Sequence, residues 1–146
     1  MMSHNITEAE KINLLNHAKI AMERAYTPYS NFKVGAALLD ESGNIYYGCN
    51  IENAAYGPTN CAERTAFFSA LAQGVKPRTF KLLAVIGDTP EPIAPCGVCR
   101  QVIVELLSED TPIILGNLQG NWRETTSMEL LPHAFVPSAL LKEDTQ

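Results

Sequence analysis

The sequence predicts an α/β fold, a three-layer α/β/α sandwich around a mixed sheet of about five strands, and three observations predict it. Helix-like and strand-like segments run in the order helix, hairpin, helix, strand, helix, strand, strand. Strands joined across helices imply crossover connections with helices on both faces of the sheet, while the opening hairpin adds an antiparallel part. The segment from Phe32 to Asp40 is apolar on both faces, with Phe32, Val34, Ala36 and Leu38 on one and Gly35, Ala37 and Leu39 on the other. Such a strand is covered on both sides. The chain has 146 residues, 46% of them hydrophobic and 18% charged, which suits one packed domain over 1–146, with a C-terminal tail from about residue 137.

The first helix is expected over about residues 8–25. Thr7-Glu8-Ala9-Glu10 has the form of a capping box, and Ile12, Leu15, Ala18, Met22 and Ala25 follow at helical spacing up to Pro28. Phe32–Asp40 and Ile45–Ile51 are the two strands of a hairpin turned by Glu41-Ser42-Gly43-Asn44. Cys61 opens a second helix that Gly74 stops, because glycine takes the left-handed position after a helix without a Cβ clash. Lys81–Gly87 is the third strand, and Cys96 begins a third helix reaching about Ser108. Pro112–Gly116 and Trp122–Thr125 complete the strands, and the last residues, Lys142 to Gln146, are expected to fray.

Charge and cysteine usage narrow the function. Against 16 acidic residues stand 11 basic ones, for a net charge of −5, so the chain lacks the basic excess that a phosphate backbone demands and nucleic acid is excluded as a partner. No apolar run approaches the ~18 residues of a membrane span. Met1-Met2-Ser3-His4-Asn5 carries neither a basic region nor an apolar signal core, which points to a cytoplasmic protein. In that compartment the cysteines are read as metal ligands before disulfides.

Cys61-Ala62-Glu63 and Pro95-Cys96-Gly97-Val98-Cys99 place three thiols where helices begin. Cys96 and Cys99, three apart in a first helical turn, chelate from one face. At a helix N-terminus Cys61 and Glu63 can both turn past the open end, where the helix dipole favours thiolate over thiol. Structural zinc is normally closed by four protein ligands, whereas catalytic zinc keeps three and leaves the fourth position to water. Cys49 is the other sulfur that could close the shell, which would make the chain a non-catalytic zinc module. Three thiolates around Zn²⁺ leave a net charge of about −1, and Arg64 and Arg100 stand beside the ligands to offset it by donating to their sulfurs, or else are ordinary surface arginines. Glu63, two residues from a ligand, is placed to take a proton from an activated water and deliver it to a substrate.

Four blocks in order resemble the small, homotetrameric, three-cysteine zinc type of cytidine deaminase, in the cytidine/deoxycytidylate deaminase superfamily: Tyr29 to Ala37, Gly48 to Ala54, Cys61-Ala62-Glu63-Arg64 and Pro95 to Gln101. The resemblance spans about Tyr26 to Phe135; Gly57-Pro58-Thr59, Trp122 and the residues after Phe135 depart from it. It implies one Zn²⁺ per chain on Cys61, Cys96 and Cys99, with Glu63 as the proton shuttle, and hydrolytic deamination of cytidine and 2′-deoxycytidine to the uridines and ammonia. It further implies that Asn50 and Glu52 grip the ribose hydroxyls, that Phe32 packs against the pyrimidine, and that the backbone at Ala62 reads the base. Ala54, Tyr56 and Phe135 would complete pockets shared between the subunits of a homotetramer, and Cys49 would be a small buried residue. Another aminopyrimidine nucleoside, such as blasticidin S, is the neighbouring alternative. Without the resemblance, Phe32 reads as a strand core residue and Phe135 as an apolar anchor.

Overall fold

The computed structural model describes residues 6–141. The first helix, α1 (Glu8–Met22), opens with the expected capping box: Thr7 Oγ1 accepts from Glu10 N at 3.1 Å, and Glu10 Oε1 accepts from Thr7 N at 2.9 Å. It stops three residues short of the expected end. Tyr26 leaves the helical path because its N–H donates to Asn50 O at 3.0 Å, drawing the chain alongside the end of the hairpin.

That hairpin pairs β1 (Val34–Asp40) with β2 (Ile45–Cys49), from Gly35 opposite Cys49 to Leu39 opposite Ile45. Both strands are shorter than the apolar pattern suggests. Asn50 reaches back with its side chain to Phe32 and Val34, taking over the role of strand pairing there, and Ile51 makes only isolated bridges to Tyr26 and Asn60. Asp40 anchors the turn. Its Oδ1 accepts from Ser42 N and Asn44 N at 2.9 Å each, and its Oδ2 from Asn44 Nδ2 at 3.3 Å and Tyr46 Oη at 3.0 Å. Burial raises the Asp40 pKa, but these donors outweigh it and hold the carboxyl below its usual range.

Next come α2 (Ala62–Ala72), β3 (Phe80–Gly87), α3 (Gly97–Leu106), β4 (Ile113–Asn117) and β5 (Trp122–Thr125). Gly74 follows α2 at φ +102°, as the stop signal requires. Two short elements escape the sequence pattern: α4 (Ser127–Leu130), capped by Thr126, and a single 3₁₀ turn at Pro137–Ala139 inside the expected tail. The expectation for Lys142 to Gln146 lies outside the described residues.

The strand order is β2-β1-β3-β4-β5, with β3 and β4 parallel and the other neighbours antiparallel. One face of the sheet is covered by α1, where Leu14, Leu15 and Ala18 meet Ala37, Leu82, Ala84, Ile86 and Ile114. The opposite face is covered by α2 and α3, where Ala62, Ala66, Phe67 and Ile103 meet Ala36, Leu38, Leu83, Val85 and Leu115. These are the three layers the double-faced apolar strand calls for. Phe67 and Phe80 meet edge to face at 5.7 Å between ring centroids on the α2 side.

Two glycines let the helices sit close to the sheet. A Cβ on Gly35 would lie 2.0 Å from Ala18 O on α1, and one on Gly48 would lie 2.2 Å from Ala62 O at the start of α2. The second contact presses the first turn of α2 onto β2, which fixes the height of Cys61 and Glu63 above the sheet.

Candidate active site

Cys61 and Cys96 are the residues immediately before the first turns of α2 and α3. Both have extended backbones (φ −80°, ψ 160° and φ −71°, ψ 169°), so their side chains turn across the helix ends rather than along the helix sides. Cys96 Sγ takes the capping role itself, accepting from Cys99 N at 3.4 Å. The sulfurs of Cys61 and Cys96 stand 3.7 Å apart, and all three sulfurs lie within 4.8 Å of one another. Tetrahedral zinc with bonds of about 2.3 Å places its sulfurs about 3.8 Å apart, so this donor set fits the metal in both chemistry and spacing. Among the described residues Cys49 is not part of the cluster; it is a half-buried free thiol whose pKa burial pushes up.

The site is arranged to hold negative charge. The Cys61 thiol is drawn down to about 5, first by hydrogen bonding with the Cys99 thiol, against desolvation, with Arg64 and Cys96 adding to the effect. Cys99 is pushed up by that same partner, by its burial and by the charge of Glu63. Arg64 Nη2 donates to Cys61 Sγ at 3.4 Å, whereas its buried Nε has no partner among the described residues.

Glu63, in the first turn of α2, is 4% exposed. Desolvation raises its carboxyl to about 7; its own backbone N–H opposes the rise, and the charge of Cys61 adds to it. A carboxyl that takes and gives up a proton near neutrality is what general acid and base work requires. Ala62, between Cys61 and Glu63, is fully buried with its carbonyl against Gly48.

Arg100 departs from its expected place. Rather than a sulfur, its guanidinium finds two carbonyls, Pro95 O from Nε at 2.8 Å and Leu130 O from Nη1 at 2.7 Å. From the first turn of α3 the side chain folds back over the loop that delivers Cys96, and so ties that loop to α4. Its support of the ligand is mechanical.

A second cluster joins Phe32, Asn50 and Glu52. Asn50 Oδ1 accepts from Val34 N at 2.9 Å and its Nδ2 donates to Phe32 O at 2.7 Å. Glu52 Oε1 accepts from Tyr29 N at 3.0 Å and Ser30 N at 3.1 Å, while Ser30 Oγ lies in short contact with Oε2. Sequence reasoning assigned no role to Tyr29 and Ser30, although a turn of this composition opposite a carboxylate is a recognisable pairing. The two clusters are joined through Ile51 and Asn60, which exchange backbone hydrogen bonds at 2.9 Å each way. Ile51 lies between Asn50 and Glu52, and Asn60 directly precedes Cys61. Asn60 Nδ2 donates to Thr65 Oγ1, which donates to Cys61 O at 3.0 Å.

The remaining expected residues are not brought to the sulfurs within one chain. Ala54 and Tyr56 lie in the exposed loop that the Ile51–Asn60 pair closes, with Tyr56 94% exposed. They wall a cavity of about 400 Å³ beside Glu52. Phe135 is also exposed, and its carbonyl is held by Gln101 Nε2 at 2.8 Å.

Comparison with known proteins adds a family to this geometry. Residues 8–115 match the model of the cytidine and deoxycytidylate deaminase zinc-binding region. A cytidine deaminase of Sporosarcina psychrophila is 59% identical over 122 residues, covering 84% of this chain and 88% of that protein. A probable cytidine deaminase of Dictyostelium discoideum is 37% identical over 143 residues, covering 97% of this chain and 93% of that protein. The crystal structure of a cytidine deaminase from Burkholderia pseudomallei superposes with a TM-score of 0.83 at 56% identity, covering 85% of this chain and 98% of that chain.

Proposed function

This chain belongs to the cytidine and deoxycytidylate deaminase family, and on that premise we propose that it converts cytidine and 2′-deoxycytidine, with water, to uridine and 2′-deoxyuridine and ammonia. The observation that carries the reading is Glu63: a buried carboxyl raised to about 7, two residues from a thiolate ligand.

Cys61, Cys96 and Cys99 would hold the zinc ion, which when bound would act as a Lewis acid that makes water a nucleophile near neutral pH. Glu63 takes the proton released by the attacking water and carries it to N3 of the base as the new C4–O bond forms. The same carboxylate then takes the proton of the new C4 hydroxyl and passes it to the amine as the C4–N bond breaks and the C4 carbonyl forms, so one group serves as base and acid in turn. Its burial keeps bulk water from supplying or draining that proton.

The base is packed by Phe32 and read by the backbone at Ala62, and the ribose hydroxyls are gripped from the Asn50 and Glu52 side. Asn50 acts there through the backbone it holds, since its amide is engaged at both ends with Phe32 and Val34. Arg64 steadies Cys61 by hydrogen bond and charge. The whole chain acts as one catalytic domain in the cytoplasm, with the residues from about 137 as its tail; no helix among the described residues is long and apolar enough to cross a membrane. The exposure of Tyr56, Phe135 and Phe32 supports a homotetramer in which Ala54, Tyr56 and Phe135 of neighbouring copies close each pocket.

The test is the ultraviolet absorbance of cytidine incubated with purified protein, beside zinc per chain. Loss of cytidine absorbance with one zinc per chain supports the reading; one zinc with no turnover of either nucleoside overturns it.

A further inference from the structure

We propose that Ser30 is a positioning residue that joins the Glu52 carboxylate to the backbone of Phe32 through its single hydroxyl, and thereby sets how strongly the enzyme depends on the sugar hydroxyls of its substrate. The inference rests on the reading of Glu52 as a ribose-gripping group.

The turn at residues 27–31 is closed by Asn31 N donating to Thr27 O at 3.0 Å, with Asn31 at φ +57°. It presents three donors to one carboxylate. Tyr29 N and Ser30 N both reach Oε1, and Ser30 Oγ reaches Oε2. An ionised carboxylate only accepts, so the Ser30 proton points at Oε2. The lone pair left on Oγ takes Phe32 N at 3.0 Å. The order is therefore Phe32 N–H to Ser30 Oγ, and Ser30 O–H to Glu52 Oε2.

Holding the two carboxylate oxygens on different donors stops rotation of the group. The lone pairs that remain then face a fixed direction, toward the cavity of about 400 Å³ that Ser30 and Glu52 both line. The Ser30 hydrogen bond is also the leading reason that the Glu52 pKa lies below the usual carboxylate range, so the acceptor stays ionised. Removing the hydroxyl leaves Oε1 held by two N–H groups but frees Oε2. Among the described residues the hydrogen bonds of Ser30 and Glu52 go to Tyr29, Phe32 and each other and not to Glu63 or a cysteine, so the loss falls on binding rather than on chemistry.

Initial rates of the zinc-loaded Ser30→Ala, Ser30→Thr and Glu52→Gln enzymes on cytidine and on 2′,3′-dideoxycytidine, which lacks both ring hydroxyls, test this. Ser30→Ala is expected to raise KM for cytidine about 10- to 100-fold with kcat within about twofold, the range one charge-assisted hydrogen bond carries. KM for dideoxycytidine should stay at the wild-type value, and Ser30→Thr, which keeps the hydroxyl, should restore cytidine binding. An equal rise on both substrates, no rise on cytidine, or failure of Ser30→Thr to rescue overturns the proposal. Glu52→Gln separates it from its premise. If that variant loses the preference for cytidine over dideoxycytidine while Ser30→Ala keeps it, the ribose reading stands and Ser30 has no positioning role. If Glu52→Gln keeps the preference, the ribose reading has failed and the proposal falls with it.

Discussion

Arg64 Nη2 donates to Cys61 Sγ at 3.4 Å from one turn further along the same helix, so the sulfur and its counter-charge move as one piece. Partners that orient metal ligands in this way are worth ~10–100-fold in metal affinity. Arg64→Gln is expected to weaken zinc binding by about that factor while leaving the fold intact, as read by competition with a chromogenic chelator. Unchanged affinity would remove Arg64 from the metal site.

Glu63→Gln keeps the shape of the side chain and removes its proton chemistry. The variant should bind one zinc per chain and lose ~10²–10⁴ in kcat. Near-normal turnover would require another group to move the protons.

A zinc ion held by Cys61 and Cys96, whose sulfurs stand 3.7 Å apart, would tie the start of α2 to the start of α3. Removing it with a chelator should lower the unfolding temperature, and Cys96→Ala should bind no zinc and show the same low temperature with or without chelator. Structural thiolate–zinc sites contribute on the order of 10 kcal/mol, so the shift should be large. A chelator effect that persists in Cys96→Ala would reject this ligand assignment.

Gly48 and Gly35 give a paired comparison. Gly48→Ala forces its Cβ against Ala62 O and Ala66 N in α2, and Gly35→Ala against Ala18 O in α1. Each should cost at least ~1–3 kcal/mol in urea unfolding, the range for overpacking a tight contact. Only Gly48→Ala displaces the turn that carries Cys61 and Glu63, so kcat should fall much further for that variant. Equal loss of kcat in both would sink the claim that Gly48 sets the height of the site.

The Asp40 carboxylate gathers four donors in the hairpin turn and is held below its usual pKa. Its ionised form is favoured by folding, so its contribution is complete above the unfolded pKa of about 3.9 and is lost as pH falls through the lower folded value. Asp40→Asn should cost ~1–3 kcal/mol at neutral pH, because the amide leaves donors unmet, and should flatten the acid limb of stability. Urea midpoints across the acid range decide it; wild type and variant falling in parallel would exclude Asp40 as a source of the acid sensitivity.

The ends of elements were legible wherever a residue acts on its own backbone. Thr7 with Glu10, Gly74 after α2, and the cysteines at two helix starts all stand where their local chemistry directs. The sulfurs converge because α2 and α3 cover the same face of the sheet; the order of helices and strands implied helices on both faces but not which helix takes which. What was not legible depends on partners distant in sequence. Asn50 ends two strands early by bonding Phe32 and Val34, and Tyr26 leaves its helix for Asn50 O. Arg100 turns toward the carbonyl of Leu130, a residue in a four-residue helix too short to leave a periodic signal.

The central place of β3 has a consequence for how the chain is made. A ribosome releases β1 and β2 first, and they can pair at once, but the other edge of β1 has no partner until residues 80–87 emerge. Through that interval a strand apolar on both faces stands open along one side, the kind of edge that invites pairing with another chain. The last sulfur arrives later still, at Cys99. The full set of sulfurs is therefore available once β3 can pair with β1 but before β4, at residues 113–117, can cover its other edge, so a shortage of zinc during synthesis should prolong the life of these open strand edges.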